Sequence, residues 1–130
     1  MATYFGTTIN DSPTAVFKAG AALTAAQGIA LAMADGKVAL PAAGANVIGV
    51  VPISEGPDFA EGDDVTVQIK DVGCMIAGGK VTAGDEIAVD ATGKAVKAAT
   101  GNFIVGVALS GAVDAGTRIR VQITKSGYKA

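Results

Sequence analysis

Two stretches of the chain alternate strictly between apolar and polar residues. In Asp64-Val65-Thr66-Val67-Gln68-Ile69-Lys70, Val65, Val67 and Ile69 fall on one side of an extended backbone, Thr66 and Gln68 on the other. Arg118-Ile119-Arg120-Val121-Gln122-Ile123-Thr124 repeats the scheme with two arginines on the polar side. Period two predicts half-buried strands, each entered through a glycine turn, Glu61-Gly62-Asp63 or Ala115-Gly116-Thr117. A second pattern is the apolar run that holds one glycine: ANVIGVV at 45–51 and GNFIVGVA at 101–108. Such runs predict buried strands, yet an interior glycine gives up packing and backbone entropy. The same glycine in both runs therefore needs a physical reason. A bulge, a sharp bend or the close approach of another backbone would each supply one.

Placing Gly49 on Gly106 brings out a longer correspondence. Asp35-Gly36-Lys37 then falls on Thr92-Gly93-Lys94, Gly44 on Gly101, and Val47-Ile48-Gly49-Val50 on Ile104-Val105-Gly106-Val107. After a short gap the two alternating stretches match, and upstream Lys18-Ala19-Gly20 answers Thr82-Ala83-Gly84. One strand unit is expected twice, at about 16–70 and 80–124, within a single β domain spanning 16–124. Residues 1–15 form an N-terminal arm and 125–130 a C-terminal tail. Asp35-Gly36 predicts a two-residue type I′ hairpin between Ile29–Met33 and Val38–Leu40, and Thr92-Gly93 predicts the same in the second unit. Ala21–Gln27 fits a short helix or an irregular insert equally well. Gly73–Val81 is expected to connect the units.

Composition agrees with a mainly β chain. Half of the 130 residues are hydrophobic, but there are 18 Gly, no Trp and only 5% aromatics, which suits short strands and tight turns. Ten basic against twelve acidic groups leave no footprint for nucleic acid. The uncharged run Ala19–Ala34 is too short and too polar to span a membrane, and MATYFGTTINDSPT lacks the features of a secretory signal. A soluble protein made in a cytoplasm is expected. Cys74, the single cysteine, is expected as a small buried apolar residue with no disulfide partner.

The search for chemistry is short. With no histidine the common acid–base and nucleophilic constellations cannot form, and Ser54, Ser110 and Ser126 have no supporting motif. Asp63-Asp64 and Asp85-Glu86 follow glycines and are expected to shape turns rather than hold a cation. Gly73-Cys74-Met75-Ile76-Ala77-Gly78-Gly79-Lys80-Val81 approaches a phosphate loop, but Val81 stands where the magnesium-binding hydroxyl belongs. Lys37 and Lys94 sit at hairpin tips without the flanks of a modified lysine. No catalytic, cofactor or metal site is expected. The arm is different: Tyr4 and Phe5 come from a chain with only two Tyr and four Phe, and aromatics on a tether suit a partner surface.

Lys-Ala-Gly, Asp-Gly-Lys, Val-Ile-Gly-Val and Gly-Asp-Asp-Val-Thr-Val-Gln-Ile, in that order, resemble the capsid cement, or head decoration, proteins of tailed bacteriophages. The second unit is the closer match, through Val81-Thr82-Ala83-Gly84-Asp85, Asp90–Ala95, Ile104–Leu109 and Ala115–Val121. The resemblance covers about 16–124. It implies a small barrel- or tulip-like β domain and no catalytic residues. It also implies a homotrimer that binds the outside of an assembled capsid, bridges major capsid subunits and stabilises the shell. The virion exterior is then the destination and the host bacterial cytoplasm the site of synthesis. Tyr4, Phe5, Thr7 and Ile9 are the expected capsid-binding residues, with the major capsid protein as partner and no nucleic acid, membrane or small-molecule substrate. The alternative is a small β-barrel module that binds a host receptor or carbohydrate on a virion surface or fibre. A small enzyme is the third and weakest class.

Overall fold

A computed structural model describes residues 13–130. Among them are ten strands and no helix: β1 Thr14–Lys18, β2 Ala30–Ala34, β3 Lys37–Ala39, β4 Gly49–Val50, β5 Asp64–Gln68, β6 Asp71–Ile76, β7 Glu86–Val89, β8 Ala95–Lys97, β9 Phe103–Ala108 and β10 Arg118–Tyr128. They form two five-stranded sheets in the orders β1-β5-β4-β2-β3 and β6-β10-β9-β7-β8. Adding five to each label of the first order reproduces the second. All named ladders are antiparallel. The mainly β expectation holds, but the sheets do not close into barrels. In each, the end of the first strand meets the last through one parallel bridge, Ala19–Val38 or Ala77–Ala95.

These bridges correct the expected alignment. Ala19 N–H donates to the Asp63 carbonyl at 2.9 Å, and Ala77 N–H to the Thr117 carbonyl at 2.8 Å. Gly62 and Gly116 return hydrogen bonds to the Ala19 and Ala77 carbonyls, both at 2.8 Å. Structurally, Ala19-Gly20 thus answers Ala77-Gly78, not Ala83-Gly84. The second set of strands accordingly begins at Asp71, and its first strand runs on to Ile76, into the stretch expected as a connector. Ala21–Gln27 is irregular rather than helical, with Ala25 at φ 51° and the Gln27 amide donating to the Ile53 and Glu55 carbonyls.

The two glycines mark close approaches. A Cβ on Gly49 would overlap the Gln68 carbonyl oxygen and lie 2.8 Å from Val67 Cγ1. A Cβ on Gly106 would overlap the Gln122 carbonyl oxygen and stand 2.8 Å from its carbon. The β9–β10 register also shifts between Ile104 and Gly106, so the second copy combines both expected reasons, a bulge and a backbone neighbour.

The alternating strands bury what their period predicts, with one exception. Ile119, Val121 and Ile123 are buried while Arg118, Arg120 and Gln122 are exposed, and Val65 and Val67 are fully buried. At the end of β5 the pattern fails, because Ile69 is exposed and Gln68 is buried. The Gln68 amide donates to the Lys70 and Val72 carbonyls, both at 2.9 Å, and so holds the turn into β6. Burial of this amide is tolerated because both hydrogens are satisfied.

The hairpins also differ. Asp35 and Gly36 both have positive φ, as a type I′ turn demands. The second loop runs Asp90–Lys94 between paired Val89 and Ala95, and only Gly93 is at positive φ. Asp90 holds this longer loop, its carboxylate accepting from the Thr92 N–H, the Thr92 hydroxyl and the Lys94 N–H at 2.9, 2.6 and 3.0 Å.

The sheets share their packing. Leu31, Val38, Val51, Val65 and Val67 form a core within the first. Ala30, Val47 and Val50 leave that group and pack with Met75, Ile87, Val105 and Ile119 of the second. Backbone bonds cross the junction as well, from Ala30 N–H to the Gly93 carbonyl at 2.9 Å and from Phe103 N–H to the Gly44 carbonyl at 3.0 Å. The segment expected as a C-terminal tail continues β10 to Tyr128, whose ring meets Phe103 edge-on at 5.3 Å. Lys129 then pairs with Glu86 at 2.6 Å.

Candidate functional site

The polar residues that sequence reasoning singled out are engaged in turns and strand edges. Asp63 Oδ2 accepts from the Ala60 N–H at 2.8 Å, and Asp85 Oδ2 accepts from the Thr82 N–H at 2.9 Å. Their neighbours bind cations of this chain: Asp64 pairs with Lys18 across the β1–β5 ladder at 2.6 Å, and Glu86 with Lys129. Among the described residues no three metal-ligating side chains converge. The Ser110 hydroxyl accepts from the Arg120 N–H, and Ser126 bonds to Thr124. The first part of the phosphate-loop lookalike, Gly73–Ile76, lies in the extended strand β6, and beyond it Gly78 N–H donates to the Ala95 carbonyl at 2.7 Å. Cys74 is half-buried on β6, opposite Arg120, rather than buried as expected.

The Asp90 carboxyl is displaced. Its partial burial pushes its pKa up, but the Thr92 hydroxyl, the Lys94 and Thr92 N–H groups and the Lys94 charge outweigh this and hold it below its ordinary 3.8. A depressed carboxyl stabilises the fold above its ordinary value and loses that contribution as pH falls through the folded value. Asp90→Asn is therefore expected to lower the unfolding temperature at pH 7, with the gap closing below about pH 4, where the wild-type group also becomes neutral. Thermal unfolding at pH 7 and pH 3 checks this, and an equal gap at both would contradict it.

Several large apolar side chains of the folded body face outward. Val16 of β1 is 59% exposed and Val113 80% exposed, and Ile53, Ile69, Val72 and Leu109 are also exposed. Shallow hollows among the described residues include three of note. Two adjoin along the 21–27 insert near Lys94, and the third lies beside the β5–β6 turn. Sequence reasoning missed the third because it took 73–81 for a connector. The alternation of Asp71-Val72-Gly73-Cys74-Met75 with a buried Gly73 and Met75 was the signal available. Tyr4, Phe5, Thr7 and Ile9 lie outside the described residues.

Comparison with known proteins gives the family. The family model described as phage cement protein matches residues 7–123. The chain belongs to the phage cement protein family. As a cement protein it is a structural, capsid-associated component of a bacteriophage. Its fold is similar to that of the head fiber gp8.5 N base of bacteriophage phi29, with a TM-score of 0.65 at 20% identity. That likeness covers 91% of the cement protein and 98% of the phi29 chain. No curated protein matches it.

Proposed function

We propose that this chain binds the outside of an assembled phage shell as a homotrimer and bridges neighbouring major capsid subunits. The match to the cement family over residues 7–123 carries the reading. It is supported by a body whose carboxylates serve its own turns and whose edge strands expose Val16 and Val72. The shared strand order of the two sheets supports a tandem duplication, which makes a rigid scaffold from one short unit. Synthesis takes place in the host bacterial cytoplasm, and the virion exterior is the destination.

The mechanism needs no catalysis. A protein that binds only the assembled shell stabilises it by mass action, about 2.7 kcal/mol per site at a hundredfold excess over Kd. Trimerisation turns three weak contacts into one tight attachment by raising the effective concentration of the second and third. Tyr4, Phe5, Thr7 and Ile9 of the arm supply part of each contact. Removing residues 1–12 is expected to lower shell occupancy by about tenfold at a protein concentration near Kd, equivalent to one lost anchor per chain. Sedimentation of shells with the bound protein measures it. Unchanged occupancy would remove the arm from the contact.

A further inference from the structure

A hollow of about 400 Å3 lies beside the β5–β6 turn, with Pro52 and Ile53 on one side and Val72 and Cys74 of β6 on the other. Gln68 and Arg120 complete it. Its size is that of a small-ligand pocket, and its walls are largely apolar. Ile53 and Val72 are each about half exposed, leaving apolar surface without cover. Gln68 is fixed by its bonds to the Lys70 and Val72 carbonyls, which makes that wall rigid. Among the described residues the ion pairs are Lys18–Asp64 and Lys129–Glu86, so the Arg120 guanidinium has no acidic partner there.

The chain enters the folded body at the edge of this hollow. Thr14 pairs with Gln68, and the Ile69 N–H donates to the Pro13 carbonyl at 3.1 Å. Twelve residues precede Pro13, enough for roughly 40 Å of extended chain. Phe5 lies within about 27 Å of chain from Pro13, ample to turn back across the β5–β6 turn. The segment carries two adjacent rings, and the hollow offers aliphatic walls beneath an unpaired guanidinium. A cation over an aromatic face is a favourable pairing.

We propose that Tyr4 and Phe5 seat in the hollow of their own chain, against Pro52, Ile53 and Val72 and beneath Arg120. Each ring removes apolar area from water, both its own and that of the exposed Ile53 and Val72. The free protein thereby covers its two most adhesive side chains until a stronger partner competes for them. This seat concerns the protein in the absence of a shell, so it stands or falls separately from shell binding.

Cys74 supplies the probe, because it lines the hollow and is the only cysteine in the chain. In Phe5→Cys, mild oxidation is expected to give an intramolecular disulfide, a fast-migrating monomer on a non-reducing gel. It should form about tenfold faster than in Phe5→Cys with Cys74→Ser and Thr100→Cys, where the second thiol is moved to an exposed turn outside the hollow. Equal rates, or a product that is chiefly a cross-linked dimer, would overturn the proposal, the dimer by assigning the hollow to a second copy. The Tyr4→Ser/Phe5→Ser variant leaves the folded body untouched and gives an independent readout. Its Cys74 is expected to react with 5,5′-dithiobis(2-nitrobenzoate) several-fold faster than in the wild type, and an unchanged rate would also overturn the proposal.

Discussion

Gly106→Ala destabilises the protein by about 3 kcal/mol, near the upper end for overpacking, because the new methyl group has a carbonyl where it must go. For a domain of this size that lowers the unfolding temperature by roughly 10 °C. A flexible side chain could swing aside, but the Gln122 carbonyl belongs to β10, held by ladders to β9 and β6. Gly49→Ala meets the equivalent oxygen of Gln68 and carries a similar penalty. Gly79→Ala is the control: a Cβ there meets nothing within 4 Å, and its effect is expected within about 0.5 kcal/mol. Thermal unfolding of the three variants measures the difference. A Gly106→Ala protein as stable as Gly79→Ala would show that β9 and β10 are not so closely opposed.

Leu31→Ala is the second large effect. Leu31 is fully buried in the core of the first sheet, and truncation there costs about 2–5 kcal/mol. More telling is how the loss is distributed. The neighbouring Ala30 packs in the other core, and its N–H donates to the Gly93 carbonyl in the second sheet. Ile76 of β6 in turn packs against the first core and its N–H donates to the Gly28 carbonyl. Neither sheet can lose its packing without uncovering the other. Calorimetry of Leu31→Ala is expected to show one endotherm at lower temperature, with calorimetric and van't Hoff enthalpies equal. Two separated endotherms would mean that the sheets fold independently.

The strand pattern was readable wherever one face of a strand meets water. β10 and most of β5 alternate because their polar residues face out, and Asp35-Gly36 declared its turn through the φ values it permits. Ile69 misled because a strand's period says nothing about where the strand stops. The turn into β6 needed a buried amide at Gln68 and turned Ile69 outward instead. β6 was missed because Gly73 and the Gly78-Gly79 pair just beyond the strand imitate a loop, and its pairing with β10 is a long-range fact that local pattern does not carry. The glycine pair announced a close approach, although the approaching atoms, the carbonyls of Gln68 and Gln122, became known only from the fold. The absence of histidine was plain in the composition. The exposed aliphatic side chains were not, because the exposure of ordinary valines and isoleucines depends on sheet topology.

An image reconstruction of purified, expanded phage shells mixed with this protein bears most directly on the whole account. It is expected to show added three-lobed density on the outer surface, spanning the seams between neighbouring capsid subunits and fitting three copies of the two-sheet body. Shells left bare at saturating protein, or density confined to the interior, would contradict the reading of this chain as an external clamp.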